Sequence, residues 1–241
     1  MSDGTKLPGS LTFFFPCFND SRTISGLVEV SASVGARCAS DFEILVVDDC
    51  STDESREILK NLQAGFPFLK VIYHEKNLGY GAALRSGFKH ATKDFVFYTD
   101  GDGQYDPREL EIMIPFMTEE TVLVNGYKIK RSDAFYRVIG GNVYAAFVKF
   151  IFSLEIKDPD CDFRLFRRSV LPAGLKSSNG AICVELVKKI QNTGGKIEQI
   201  PVTHYPRKFG GSQFFNFKAV IRTFNELVAL WFDLMRPHGI R

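Results

Sequence analysis

The stretch FVFYTDGDGQYDP, residues 95–107, introduces the pattern that recurs along this chain. Its first four residues are apolar or aromatic, which is typical of a short buried strand. The strand is followed at once by Asp100 and Asp102, and Asp106-Pro107 then has the residues of a helix N-cap and first turn. Two carboxylates one residue apart at a strand end favour a site for a hard cation such as Mg²⁺. The simpler interpretation is an acidic turn after a strand.

Three similar apolar runs precede this one, and segments with helical character lie between them. The predicted strands are residues 11–15, 43–47, 69–73 and 95–99. This alternation predicts a mostly parallel sheet covered by helices on both faces. Polar residues follow three of the strands, as Asn19-Asp20, Asp48-Asp49 and Asp100 with Asp102. Ligands bind outside the carboxyl ends of such strands, so the three clusters together predict a binding site.

The remaining segments are assigned from periodicity and turn residues. Ser51 or Thr52 is expected to cap a helix that runs to about residue 62. Helices are also predicted over 133–154 and 179–191, a strand over 163–166, and a strand near a sheet edge over 196–203. Residues 217–235 form an amphipathic segment in which Leu227 and Trp231 share an apolar face. This segment is either a helix packed on the domain or an interfacial helix with a basic start.

Composition restricts the classes of protein to consider. The 241 residues are 45% apolar with a net charge of +2, and residues 204–241 carry an excess of basic residues that favours contact with phosphate or an anionic membrane. No nucleic-acid partner is expected. Five scattered cysteines without a C-x-x-C pair indicate a reducing cytosolic environment. No secretory signal is visible, and no apolar run reaches the roughly 18 to 20 residues of a spanning helix. Membrane contact, if present, is therefore expected to be peripheral. Neither a Walker loop nor G-x-G-x-x-G is found.

Six motifs, taken in order, resemble those of the family-two glycosyltransferases, and in particular the branch that acts on polyprenyl phosphates. They are FPCFND, VVDDCSTDES, NLGYGAALRSGF, YTDGDGQYDP, DCDFRLFRR and HYPRKFGGS. The resemblance covers roughly residues 11–235. It implies a single Rossmann-like domain of the GT-A type over 11–215, a flexible lead-in over 1–10, and a membrane-surface or partner-docking helix over 216–241. It also implies an inverting reaction with a UDP- or GDP-hexose donor and Mg²⁺ or Mn²⁺.

The resemblance transfers roles to individual positions. The residues implied to bind the nucleotide sugar are Pro16, Phe18, Asn19, Asp20, Asp49, Gly79, Asp100, Arg131, Arg207 and Ser212. Those implied to hold the metal and diphosphate are Asp100, Asp102 and Gln104. Those implied to act in catalysis are Asp162, Asp102 and Arg164, the last by handling phosphate.

The acceptor stays open at this stage. A polyprenyl phosphate at the cytoplasmic membrane face is favoured, with a membrane-anchor subunit among the expected partners. The alternative is a saccharide or protein hydroxyl, which Asp162 would serve as base. A lipid phosphate is already ionised and needs mainly positioning, so Asp162 is compatible with both acceptors. A third hypothesis, a catalytically idle scaffold that binds nucleotide sugars, is disfavoured because the carboxylates are retained.

Overall fold

The computed structural model describes residues 6–129, 135–207 and 217–235, and in the helices that follow the two gaps it describes side chains from residues 140 and 222 onward. Over these residues the chain forms one seven-stranded sheet with helices on both faces. The strands are β1 (Leu11–Cys17), β2 (Phe42–Asp48), β3 (Leu69–Tyr73), β4 (Phe95–Thr99), β5 (Thr121–Lys128), β6 (Phe163–Arg167) and β7 (Lys196–Val202). The helices are α1 (Ile24–Cys38), α2 (Ser55–Gly65), α3 (Tyr80–His90), α4 (Leu110–Met113), α5 (Phe135–Phe152), α6 (Ala181–Gln191) and α7 (Phe217–Met235).

The expectation of a mostly parallel sheet is confirmed. The strand order is β3-β2-β1-β4-β6-β5-β7, so the predicted edge strand β7 does lie at an edge. Only β6 runs against its neighbours, pairing with β4 through Thr99 and Phe163 and with β5 through Asn125 and Arg164. Because β6 is reversed, its first residue lies at the edge where the other strands end. Asp162, just before β6, therefore joins the polar residues that follow β1, β2 and β4.

The hydrophobic core forms two layers, one on each face of the sheet. Successive residues of β1 alternate between them: Phe13 and Phe15 pack with α1, α2 and α4, while Phe14 packs with α3 and α6. This alternation is the ordinary consequence of the two-residue period of a strand. The aromatic residues of β1 and β4 bear directly on each other, as with Phe13 and Phe97 at a ring-centroid separation of 5.7 Å. The residues that follow β1 and β4 are therefore attached to strands that are tightly packed in the core.

A third apolar cluster joins α5, α6 and α7. Its buried members include Val148 and Phe152 of α5 and Leu227 and Leu230 of α7. Leu227 and Trp231 lie one turn apart on the same side of α7, but Leu227 is 3% exposed and Trp231 is 38% exposed. The domain therefore covers only part of the apolar face of the helix, and the remainder is in solvent.

The start of α2 also differs from the prediction. The helix begins at Ser55 rather than after a cap at Ser51 or Thr52. The Ser51 hydroxyl instead accepts a hydrogen bond from the backbone N–H of Asn19 at 2.9 Å. Asp53 accepts from the N–H of Ser55 at 3.0 Å and so satisfies a donor at the helix start. By contrast, Asp106 caps the turn that Pro107 begins, as predicted.

Candidate active site

A cleft lies where β1, β2 and β4 end, and we refer to it as the strand-end cleft. Polar and apolar residues from all three predicted clusters share its walls. They are Pro16, Cys17, Phe18, Asp20, Asp49, Tyr80, Ala83, Asp100, Gly101, Asp102 and Arg207. Seven of these were expected from sequence to bind nucleotide sugar or metal, so the structure brings most of the predicted site together.

Asp100 is the most strongly perturbed carboxyl group of the cleft. Its Oδ1 accepts a hydrogen bond of 2.8 Å from the Tyr80 hydroxyl. Burial, together with the nearby carboxylates of Asp162 and Asp102, raises the pKa of Asp100 well above its usual range. A group of this kind favours any arrangement that brings positive charge close to it.

Asp20 lies beside this pair. Its Oδ2 accepts from the N–H of Phe18 at 3.1 Å, and burial raises the pKa of its carboxyl group to about 7. The close approach depends on Gly101, because a Cβ at that position would lie 2.6 Å from the carbonyl oxygen of Pro16 and 3.0 Å from Asp20 Oδ2. A residue larger than glycine would therefore push the acidic loop away from β1.

The donor set fits a divalent cation of the Mg²⁺ or Mn²⁺ type. Asp100 and Asp102 supply hard oxygen atoms, and Asp100 is buried close to the carboxylates of Asp102 and Asp162. No group of three or more His, Cys, Asp or Glu with metal-binding geometry occurs among the described residues. Two carboxylates are nevertheless sufficient, because these ions commonly keep their other positions for water and substrate phosphate.

Arg207 closes one side of the cleft. Its guanidinium donates to Asp102 Oδ2 and contacts Gln104 Oε1 at 3.5 Å. The Gln104 side chain donates to the carbonyl oxygen of Tyr205 at 3.1 Å, and the Tyr205 N–H donates to the Gln104 carbonyl at 2.9 Å. Gln104 thus fastens the segment after β7 to the acidic loop, and its expected role as a metal ligand stays a prediction.

Asp49 is buried and organises the segment that leads into α3. Its carboxylate accepts from the N–H groups of Leu78 and Gly79 at 2.9 and 2.8 Å, and it contacts His74 Nδ1 at 2.7 Å. Gly79 therefore enters the site through its backbone. Asn19 acts in a similar way, since its side-chain oxygen accepts from the N–H of Thr52 at 2.8 Å. Both residues shape the walls of the strand-end cleft.

Asp162 lies next to the cleft and is held by a buried cluster. Its Oδ1 accepts from the Tyr98 hydroxyl, from Arg164 Nη1 at 3.0 Å and from the Cys183 thiol at 3.1 Å. Arg164 has no exposed surface and also donates to Tyr98, to Asn125 at 2.8 Å and to the Pro159 carbonyl at 2.6 Å. In this structure Arg164 contacts Asp162 rather than the open cleft, which differs from the phosphate contact expected from sequence.

Two of the expected residues, Arg131 and Ser212, lie outside the described part of the chain. Three residues that sequence reasoning did not single out, Tyr80, Tyr98 and Cys183, bond directly to expected carboxylates. A tyrosine inside the apolar run of β4 was a usable signal, because a buried phenol normally finds a hydrogen-bond partner. The sequence has no comparable signal for Tyr80 or Cys183, whose contacts depend on how α3 and α6 pack.

Comparison with known proteins gives a family match over most of this region. The model of glycosyl transferase family 2 matches residues 12–174. The undecaprenyl-phosphate 4-deoxy-4-formamido-L-arabinose transferase of Sodalis glossinidius is 25% identical over 227 residues, which cover 93% of this chain and 66% of that protein. The protein of the same name from Enterobacter sp. is 26% identical over 223 residues, covering 91% and 64%. The chain spans about two thirds of the length of these relatives.

Solved structures show the same fold. A mannosyltransferase from Pyrobaculum calidifontis, solved with GDP-Man and Mn²⁺, superimposes with a TM-score of 0.66 at 19% identity and covers 98% of this chain and 66% of that one. Glucosyl-3-phosphoglycerate synthase from Mycobacterium tuberculosis, solved with Mn²⁺, UDP and glucosyl-3-phosphoglycerate, gives 0.68 at 18% identity, covering 96% and 82%. This likeness confirms the GT-A type of fold expected from the motifs.

Proposed function

Because the chain belongs to glycosyl transferase family 2, as its motifs indicated, we propose that it moves a hexose from a nucleotide-diphosphate sugar to a polyprenyl phosphate. The proposed reaction inverts the anomeric carbon and requires Mg²⁺ or Mn²⁺. The observation that carries the proposal is the convergence of Asp20, Asp100, Asp102 and Arg207 in one cleft at the sheet edge, with Asp162 adjoining. The polyprenyl phosphate acceptor is supported by the names of the relatives that match most of the chain.

The cleft residues divide the work between donor and cation. Asp100 and Asp102 would hold the metal, which when bound supplies Lewis-acid neutralisation of the charge on the nucleoside diphosphate. Arg207 has the planar guanidinium suited to bidentate phosphate contacts and lies on Asp102. Pro16 and Phe18 provide apolar walls, and Asp49 with Gly79 sets the far wall where the base or ribose would lie.

Asp162 faces the acceptor in this proposal, and Arg164 positions it. The acceptor phosphate is ionised at neutral pH, so its oxygen attacks without first losing a proton, and Asp162 mainly orients it. Tyr98, Arg164 and Cys183 all bond to Oδ1. Among the described residues none bonds to Oδ2, which leaves that oxygen for the acceptor.

The available Oδ2 of Asp162 also favours the second candidate function, transfer to a saccharide or protein hydroxyl. A hydroxyl acceptor must lose its proton as it attacks, and Oδ2 of Asp162 would take it as general base. The two candidates predict different effects of one substitution. Asp162→Asn should lower kcat by about 100-fold or more for a hydroxyl acceptor, because general-base catalysis typically contributes that much. With a polyprenyl phosphate the loss should be much smaller.

The donor and the cation are tested together by thermal unfolding with UDP-, GDP- and dTDP-sugars, each with and without Mn²⁺. A ligand at a hundred times its Kd should stabilise the protein by about 2.7 kcal/mol. We expect a metal-dependent rise in Tm with donors of one base and its loss in Asp102→Ala. The matched control is Asp41→Ala, since Asp41 lies on the surface and pairs with Lys93. The proposal would be contradicted if no donor raised the Tm, or if a donor raised the Tm of Asp102→Ala as much as that of the wild type.

A second feature, which we call the α5–α7 face, supports an acceptor that lies at a membrane surface. It consists of exposed apolar residues of two adjacent helices: Val143, Phe147, Phe150, Phe224, Val228, Trp231 and Phe232. Phe147 and Phe224 stack at 6.3 Å and join the two helices. The acids described in α7 are engaged elsewhere, Glu226 with Asn179 and Asp233 with Lys176. None of the described helices is long and apolar enough to span a membrane.

Sedimentation with vesicles that contain phosphatidylglycerol tests this placement. Phe150→Ser and Phe232→Ser should each weaken binding by about 10- to 100-fold, because each removes an aromatic side chain worth about 1.5 to 3 kcal/mol of burial. Ile112→Ser is the matched control, because Ile112 is 48% exposed on α4 and Phe232 is 50% exposed. Equal sedimentation of all variants would count against a bilayer and in favour of an anchor subunit on this face.

A further inference from the structure

Asp100, which is proposed above to hold the metal, is connected to α7 by a short series of contacts. It begins at Glu226, whose Oε2 accepts from the N–H groups of Ser178 and Asn179 at 3.3 and 3.2 Å. Its Oε1 accepts from the Asn179 side-chain amide at 2.9 Å. One carboxylate thus receives three hydrogen bonds from two adjacent residues. This ties Ser178 and Asn179 to α7, while the N–H groups of Lys176 and Ser177, in the same segment of residues 176–179, donate to Glu185 of α6.

The same segment packs tightly on the start of α3. The N–H of Gly81 donates to the Ser178 carbonyl at 2.9 Å. A Cβ at Gly81 would lie 2.5 Å from the Ser177 carbonyl oxygen and 2.6 Å from the Ser178 carbonyl carbon, so only glycine permits this approach. Arg85, one turn further along α3, donates to the Ser177 carbonyl as well. The start of α3 therefore follows the position of the 176–179 segment.

The residue before Gly81 is Tyr80, whose hydroxyl donates to Asp100 Oδ1 at 2.8 Å. Among the described residues this is the hydrogen bond that orients the Asp100 carboxylate. It fixes how the Asp100 carboxylate is oriented in the cleft. Groups that hydrogen-bond to metal-ligating carboxylates typically change metal affinity by about 10 to 100-fold when they are removed.

We propose that Glu226 of α7 positions Asp100, acting through the 176–179 segment and Tyr80. The inference rests on the proposed metal site and adds two positioning residues to it: Tyr80, which lines the cleft, and Glu226, which lies on α7 outside it. It also means that the position of α7 and the cation affinity of the strand-end cleft are linked. Any change that shifts α7 on the domain should alter the affinity for the cation.

The test measures the Mn²⁺ dissociation constant of the full chain without donor, by electron paramagnetic resonance of free Mn²⁺. Tyr80→Phe should weaken Mn²⁺ binding about tenfold, and Glu226→Gln several-fold. Because Glu226 acts through Tyr80, the double variant should bind Mn²⁺ about as weakly as Tyr80→Phe alone. Two matched controls, Tyr73→Phe and Glu111→Gln, remove contacts to Gln63 and Arg37 away from the cleft and should leave the constant unchanged.

Gly81→Ala offers an independent route to the same result, because it displaces α3 from the 176–179 segment without altering a polar group. Gly26→Ala is its control, since a Cβ there meets nothing within 4 Å. Urea unfolding of every variant separates loss of stability from loss of Mn²⁺ affinity. A merely structural role for Glu226 would lower stability and leave the Mn²⁺ constant of the folded protein unchanged.

The outcomes separate this inference from the proposed function. If the wild-type protein does not bind Mn²⁺, or if Asp102→Ala binds it equally well, the proposed metal site itself is wrong. If that site is sound but Glu226→Gln changes the constant by less than about twofold, the inference is overturned. It is also overturned if the effects of Tyr80→Phe and Glu226→Gln multiply, because independent action would then be shown.

Discussion

Replacing Arg164 by methionine should reveal how strongly the acceptor side of the site depends on one buried cation. Methionine keeps most of the side-chain volume and removes the guanidinium. The change leaves the Asp162 carboxylate, 16% exposed, without its cation at 3.0 Å. It also leaves the Asn125 oxygen and the Pro159 carbonyl without the donors they now have at 2.8 and 2.6 Å.

The magnitude follows from these losses. Removing one partner of a buried ion pair typically costs about 3–5 kcal/mol, much of it the penalty of leaving the other charge buried alone. Since a domain is usually stable by only about 5–15 kcal/mol, Arg164→Met should fold but with little margin. The matched control is Arg37→Met, whose pair with Glu111 is exposed and should contribute no more than about 1 kcal/mol.

Urea unfolding at pH 7.5 measures both variants, alone and combined with Asp162→Asn. With a neutral side chain at position 162, the cost of Arg164→Met should fall by at least about 1.5 kcal/mol, because the uncompensated charge is then absent. The reasoning is refuted if Arg164→Met costs no more than Arg37→Met, or if its cost is the same in both backgrounds. In the folded variant, kcat should fall more than the KM for the donor rises, since the donor contacts lie elsewhere.

Three further substitutions test other parts of the structure. Asp20→Asn should flatten the pH dependence of stability. The pKa of the Asp20 carboxyl is about 7 in the native protein and 3.8 in the unfolded chain, so the unfolding free energy of the wild type should fall as the pH rises between these values. Urea titrations at several pH values measure this fall and its loss in the variant. Burial acts to raise the pKa of Glu43, but hydrogen bonds from Lys70, Thr92 and Thr12 outweigh burial and lower that pKa. Glu43→Gln should therefore reduce the unfolding free energy by about 1–3 kcal/mol at neutral pH, and by less as the pH falls toward 4 and below. Phe152→Ala should cost about 3–5 kcal/mol, whereas Phe150→Ala, two residues away and 83% exposed, should change stability by about 0.5 kcal/mol or less.

The sequence was sufficient for the donor side of the site because that side depends on local pattern. Short apolar runs predicted β1, β2 and β4, and in a parallel sheet the residues after such strands must meet at one edge. Asp20, Asp49, Asp100 and Asp102 could therefore be placed together before any coordinates were known.

The acceptor side depends on non-local pairing, which the sequence pattern does not specify. Nothing in residues 163–167 shows that β6 inserts between β4 and β5 in the reverse direction. That reversal buries Arg164 inside the sheet, whereas from the sequence Arg164 was expected to contact phosphate in the cleft. A single charged residue within the apolar run of residues 163–166 was a signal of burial with a partner, because an unpaired buried charge is too costly to retain. The identity of the partners, Tyr98 and Asn125, came only from the fold.

The reversed strand β6 has a consequence for how the molecule can change. The chain leaves the sheet after β5 and returns at β6 on an adjacent strand, and the two ends are tied by Lys128, whose Nζ donates to the Asp160 carbonyl at 2.8 Å. The segment that carries α5 therefore leaves and rejoins the sheet at adjacent strands, while α5 itself packs on α6 and α7. We expect that the loops on either side of α5 can change in length while Asp162 keeps its position just before β6, so that the choice of acceptor can evolve separately from the chemistry of the donor.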